Sequence, residues 1–100
     1  MATSTIKHTT ANLIVAEDSV ITSPGTFNAN ASTSVSFPAV KSGYTRLGCI
    51  GLTGSGTNGL VVQEYYNSTN SVVVYYRNVT SSAITPSRLV ATILYRKNTW

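Results

Sequence analysis

Charge is what this sequence has least of. Only 10% of its 100 residues are charged, three of them acidic and seven basic, against roughly 25% in an ordinary globular domain. Water-exposed helices carry Glu, Lys, Arg and Ala on their outer faces, so the shortage argues against them. The acids are also badly placed for catalysis. Glu17 and Asp18 are adjacent and would point to opposite faces of a strand, and Glu64 has no second acid near it. The single histidine, His8, is far along the chain from the single cysteine, Cys49. No nucleophile, base and orienting group come together, and no three or four ligands cluster for a metal, so the expectation is a protein that is not an enzyme and holds no metal or cofactor.

Other absences narrow the class further. One cysteine cannot form an internal disulfide, and its LGCIGL surroundings point to a buried, inert thiol. No apolar run approaches the roughly 18 residues of a membrane span, so no membrane insertion is expected. The N-terminal stretch lacks a basic run followed by an apolar core, and is expected not to be a signal peptide. The seven cations, Lys7, Lys41, Arg46, Arg77, Arg88, Arg96 and Lys97, give a net charge of +4 but are scattered. A nucleic-acid footprint would gather them on one face, so nucleic acid is not an expected partner.

Apolar residues, by contrast, make up 42% of the chain, which suits one small domain with a thin margin of stability. They fall in six short segments rich in β-branched and aromatic residues: LIVAEDSVIT (13–22), TSVSFPAV (33–40), YTRLGCIGL (44–52), LVVQEYY (60–66), SVVVYYRNV (71–79) and RLVATILYR (88–96). Stretches rich in Gly, Pro, Asn and Ser separate them. This pattern predicts an all-β fold, an antiparallel β-sandwich of jelly-roll-like type, with 1–12 as an N-terminal arm and 13–100 as a single domain.

The string GSGTNG (54–59) satisfies the G-x-G-x-x-G pattern of dinucleotide loops. That loop works by opening a helix whose amides hold the pyrophosphate, with an acid about 20 positions on for the ribose. Here a strand-like LVVQEYY follows, and no acid occurs after Glu64. The glycines are read instead as a flexible loop between antiparallel strands. The three N-x-[ST] strings, at Asn30, Asn67 and Asn78, are read as a product of composition.

The segments around NSTN predict a hairpin. With Asn67 facing Asn70, Glu64 lies opposite Val73, Val62 opposite Tyr75 and Leu60 opposite Arg77, while Val61, Gln63 and Tyr65 meet Tyr76, Val74 and Val72 on the other face. Neither face is clearly polar, whereas a half-exposed sheet shows one wet face. The last segment behaves alike, with Leu89, Ile93 and Tyr95 on one side and Val90 and Leu94 on the other. A chain this short has little material to cover both faces, so self-association is expected. Glu64 is a candidate partner for Arg77 or for a neighbouring subunit.

If the last five strands run up and down, the 38–44 turn, the 67–70 turn and the C-terminal tail gather at one end. That end would carry Tyr44, Tyr66, Asn67, Asn70 and Trp100 beside Lys41, Arg96 and Lys97. Flat rings with a hydrogen-bonding edge, amides and cations form a rim suited to glycan or anionic polymer. These five residues are the candidate ligand-binding set.

The runs SVSFPAVKSGYTRLGCIGLTGSG and SVVVYYRNVTSSAITPSRLVATILYRKN resemble small C-terminal β-domains of bacteriophage and prophage appendage proteins. The likeness rests on Gly43-Tyr44 before the apolar-glycine strand Leu47-Gly48-Cys49-Ile50-Gly51, on Arg77-Asn78 before a Ser/Thr-rich turn, and on a final strand ending Tyr95-Arg96-Lys97. It spans roughly residues 33–98. The resemblance implies a trimeric sandwich on a virion, as a tail-fibre, head-fibre or capsid-decorating protein. Such a protein is made in the host cytoplasm, released by lysis, and contacts other virion proteins and host-surface glycan. A free-standing carbohydrate-binding module and an OB-like single-strand nucleic-acid binder are the alternatives the residues leave open.

Overall fold

The computed structural model describes residues 13–98. The proposed arm, with His8, and the C-terminal Trp100 lie outside them. The described chain forms six strands: β1 (Ile14–Thr22), β2 (Ser32–Pro38), β3 (Tyr44–Ser55), β4 (Leu60–Asn67), β5 (Ser71–Asn78) and β6 (Arg88–Lys97). Each apolar segment of the sequence becomes one strand, with ends moved by three residues or fewer, because alternation and turn residues act locally. The fold is all-β, with two three-stranded antiparallel sheets ordered β1-β6-β3 and β2-β5-β4. Among the described residues no helix is long and apolar enough to cross a membrane.

Successive strands alternate in direction, yet they change sheet at every connection except the β4–β5 hairpin. The GSGTNG loop therefore joins β3 to β4 across the sheets rather than closing a hairpin. Its first glycine answers to packing: a Cβ on Gly54 would stand 2.5 Å from the Arg88 carbonyl oxygen.

One apolar core lies between the sheets. The central strands supply it from their inward faces, Val72, Val74 and Tyr76 from β5 and Leu89, Ala91, Ile93 and Tyr95 from β6. Phe37, Ala39 and Phe27 close it, the Phe27 ring standing edge-on to Tyr76 at 5.9 Å. Burying each large side chain contributes about 1.5–3 kcal/mol. The Tyr76 hydroxyl is buried with no hydrogen-bond partner, and desolvation pushes its pKa up to about 12.

At the end opposite the hairpin loop a buried asparagine ties three segments together. Asn78 donates from Nδ2 to the carbonyls of Phe27 (2.9 Å) and Ser82 (2.8 Å). Its Oδ1 accepts from the Thr80 amide (2.9 Å) and the Thr80 hydroxyl (2.7 Å). All four hydrogen-bonding positions of the amide are filled. The N-x-T string at Asn78 is thus a closed turn whose side chain faces inward.

Two details of the hairpin correct the sequence reading. The strands pair two residues further along, with Tyr66 opposite Val73, Tyr65 opposite Val74 and Glu64 opposite Tyr75. A bulge then inserts Gln63 and turns Val62 to face Tyr76 on the core side. An inserted residue reverses the in–out order of everything beyond it. Glu64 makes no ion pair among the described residues. The ion pair that does form joins Lys41 to Glu17.

The outward faces of the central strands are better covered than expected. Val73 and Val90 are nearly buried. Val73 sits between Ser36 and Tyr66, and Val90 between Val20 and Thr53. Neighbouring strands on both sides shield them, so the exposed apolar surface moves to the edge strands.

Candidate functional site

The end carrying the 38–44 loop, the hairpin loop and the end of β6 holds a cleft of about 280 Å³, lined in part by Lys41, Tyr44, Thr45, Arg46, Asn70 and Tyr95. The loops meet as the sequence suggested. β2 ends at Pro38, whose missing N–H is tolerated because β2 is an edge strand. A turn over Lys41–Tyr44 then reverses the chain, with the Tyr44 amide donating to the Lys41 carbonyl at 3.1 Å. Gly43 takes φ +81°, the left-handed value a type II turn needs at its third residue. The Ala39 amide donates to the Asn70 carbonyl (3.0 Å) and the Asn98 amide to the Gly43 carbonyl (3.0 Å), drawing the three segments together.

Two cations shape the cleft. Arg46 lies across from Tyr95 in the ladder, and its guanidinium donates to the Ala39 carbonyl (2.9 Å) and to the Ser68 carbonyl. It thus braces both loops, and three of its five N–H groups lie outside these contacts. The Lys41 ammonium meets Glu17 at 2.6 Å and stands 4.8 Å from the centre of the Tyr44 ring. The Glu17 hydrogen bond raises the Lys41 pKa above its usual value, and burial raises that of Tyr95. Glu17 and Asp18 do diverge, Asp18 accepting from the Thr92 hydroxyl at 2.8 Å on the outer face. The cleft offers guanidinium, amide, hydroxyl and phenol groups, a surface for hydrogen-bonding a hydroxyl-rich ligand.

Of the five candidate residues, Tyr44 and Asn70 line this cleft. Asn67 ends β4 and is exposed near it. Tyr66 turns to the outer face of its sheet, where it stacks on Tyr75 at 6.4 Å. Trp100 lies outside the described residues. The Tyr44 ring has one neighbour already in Lys41, which makes it a less open platform than expected. Arg46 and Tyr95 were not among the candidates. The signal was there for Arg46: it stands two residues after Tyr44 on a strand, a charge at an inward position.

A second surface runs along the flank formed by edge strands β3 and β4. Every residue of β4 from Val61 to Asn67 is exposed, although the strand reads VVQEYY. Two bulges in β3 insert Leu47 and Ile50, and Ile50 is 59% exposed. Facing it across the flank, Val62 and Tyr65 are 42% and 51% exposed despite lying on the core side of β4. The Tyr65 hydroxyl reaches the Cys49 carbonyl at 3.5 Å, and an open depression of about 210 Å³ lies among Cys49, Ile50, Gly51, Leu52 and Tyr65. Cys49 is half-buried here rather than fully enclosed, its thiol donating to the Gly51 carbonyl at 3.3 Å.

No family model, curated protein or solved structure matches this chain.

Proposed function

We propose that this protein is a non-enzymatic structural module of a bacteriophage particle, a jelly-roll-like β-sandwich that works as a homo-oligomer, with a trimer expected. It is displayed on the virion surface among other virion proteins, and its loop-end cleft contacts host-surface glycan. The observation that carries the reading is β4, a strand exposed along nearly its whole length, with four of its five large apolar side chains, Val61, Val62, Tyr65 and Tyr66, in the open. Isolated surface apolar residues are ordinary, but a contiguous apolar strand marks a contact surface. The resemblance of residues 33–98 to phage appendage domains supplies the virion setting. The cations of the cleft are engaged by Glu17 and by backbone carbonyls, which suits a binding surface more than a reacting one.

The test is the mass of the purified chain by sedimentation velocity over the micromolar range. Several copies are expected, and a single copy at every concentration would sink the reading. The cleft favours a second reading, a free-standing carbohydrate-binding module. That alternative gains if the chain is a single copy that still binds sugar in a glycan array, with binding lost in Arg46→Ala.

A further inference from the structure

The proposal of self-association leaves open which surface the copies share. The outer face of the β1-β6-β3 sheet, the outer face of the β2-β5-β4 sheet, and the β3/β4 flank all carry exposed apolar groups. We infer that the β3/β4 flank is the interface, and that its occupant is the same flank region of another copy of this chain, packed side chain against side chain. The inference rests on the reading above.

Three observations select it. The first is area. Leu47, Ile50, Val62 and Tyr65 are each between 42% and 59% exposed, and Val61 and Tyr66 continue the patch onto the adjoining outer side of β4 at 45% and 49% exposure. Together they leave on the order of 500 Å² of apolar surface, near the upper end of what a monomer shows and a large part of the roughly 800 Å² a partner contributes to a standard interface. The second is composition. The flank is rich in tyrosine and aliphatic side chains with one acid, Glu64, as in the core of an interface. The two outer faces are poorer: that of β1-β6-β3 has the rows Ala16, Leu94 and Gly48, then Asp18, Thr92 and Gly51, beside a row in which Val20 is exposed at the edge, and β2 lines the other with Ser32, Ser34 and Ser36.

The third observation is the bulges, which decide how the contact is made. A free strand edge invites another strand to add to it, and bulges are a common way of preventing this. β3 is bulged at Leu47 and at Ile50, and β4 at Gln63. A two-fold strand pairing of β4 centred on Glu64 would also set that acid against its own counterpart, a destabilising like-charge pair. Both edges are therefore poor templates for strand addition, while the bulges push Leu47 and Ile50 outward. The flank is built for side-chain packing around an axis, not for extending a sheet.

The experiment compares sedimentation of the wild type, the double variant Ile50→Lys/Tyr65→Lys, and Val20→Lys on the outer face of the β1-β6-β3 sheet, each checked for folding by circular dichroism. Loss of at least about tenfold in self-association affinity is expected for the flank variant alone, since aromatic anchors dominate such contacts. In parallel, hydrogen exchange of the wild type is followed against concentration, with added protection expected in residues 47–52 and 60–67. That measurement decides the matter even if the double variant misfolds. A folded flank variant with wild-type mass, or protection growing at a different surface, overturns the inference while leaving self-association standing. A wild type that is a single copy throughout, with the flank exchanging freely, overturns both and leaves the flank to a different protein.

Discussion

At the scale of single residues, Asn78 contributes more than its place in a polar turn suggests. Its amide fills four hydrogen bonds in a fully buried setting and links the β1–β2 and β5–β6 connections to the end of β5. Truncation would remove all four bonds, each worth about 0.5–1.5 kcal/mol net, and leave the Thr80 amide without its partner at a cost of about 1–3 kcal/mol, while the Phe27 and Ser82 carbonyls keep the Ile84 amide and the Thr80 hydroxyl. Asn78→Ala is expected to lower the stability by about 3 kcal/mol, read from the urea midpoint at unchanged slope. The sequence showed an asparagine among Ser and Thr, but not that it is buried, since its donors go to Phe27, 51 residues away, and to Ser82.

At the scale of elements, the strands follow their local pattern while their faces do not. β5 and β6 are central and flanked on both sides, so even the outward Val73 and Val90 are buried. β4 has an equally apolar sequence and is exposed, because it lies at an edge. Close approach between β3 and β6 is set at Gly54, where a methyl group would meet the Arg88 backbone carbonyl at 2.5 Å as well as the Thr57 side chain at 2.9 Å. Gly54→Ala is expected to cost about 2 kcal/mol, the range for overfilling a packed site, and to lower the thermal midpoint.

At the scale of the molecule, the titrating groups tie stability to alkaline pH. The folded chain holds the Tyr76 proton to about pH 12, whereas the unfolded chain releases it near 10.0. The stabilisation is complete below pH 10 and is lost as pH rises from about 10 to about 12, because the unfolded state binds fewer protons there. Tyr95, raised by burial, and Lys41, raised by its bond to Glu17, act in the same direction. The denaturant midpoint is expected to fall across that window. Tyr76→Phe should make the fall shallower and, by removing an unpaired buried hydroxyl, raise the stability at neutral pH by about 1 kcal/mol. An unchanged alkaline profile in Tyr76→Phe would show that the hydroxyl titrates normally.

The amino-acid order by itself determined where the six strands lie, where the chain turns, and that the 38–44 and 67–70 loops share an end with the close of β6. Those features depend on alternation, on Gly, Pro and Asn, and on the direction reversal at each turn, all effective within a few residues. Tertiary structure alone decided the division into two sheets, the bulges at Leu47, Ile50 and Gln63, and the contrast between buried β5 and exposed β4. Each of these follows from which strands are neighbours, and that is settled by packing between side chains distant in the chain.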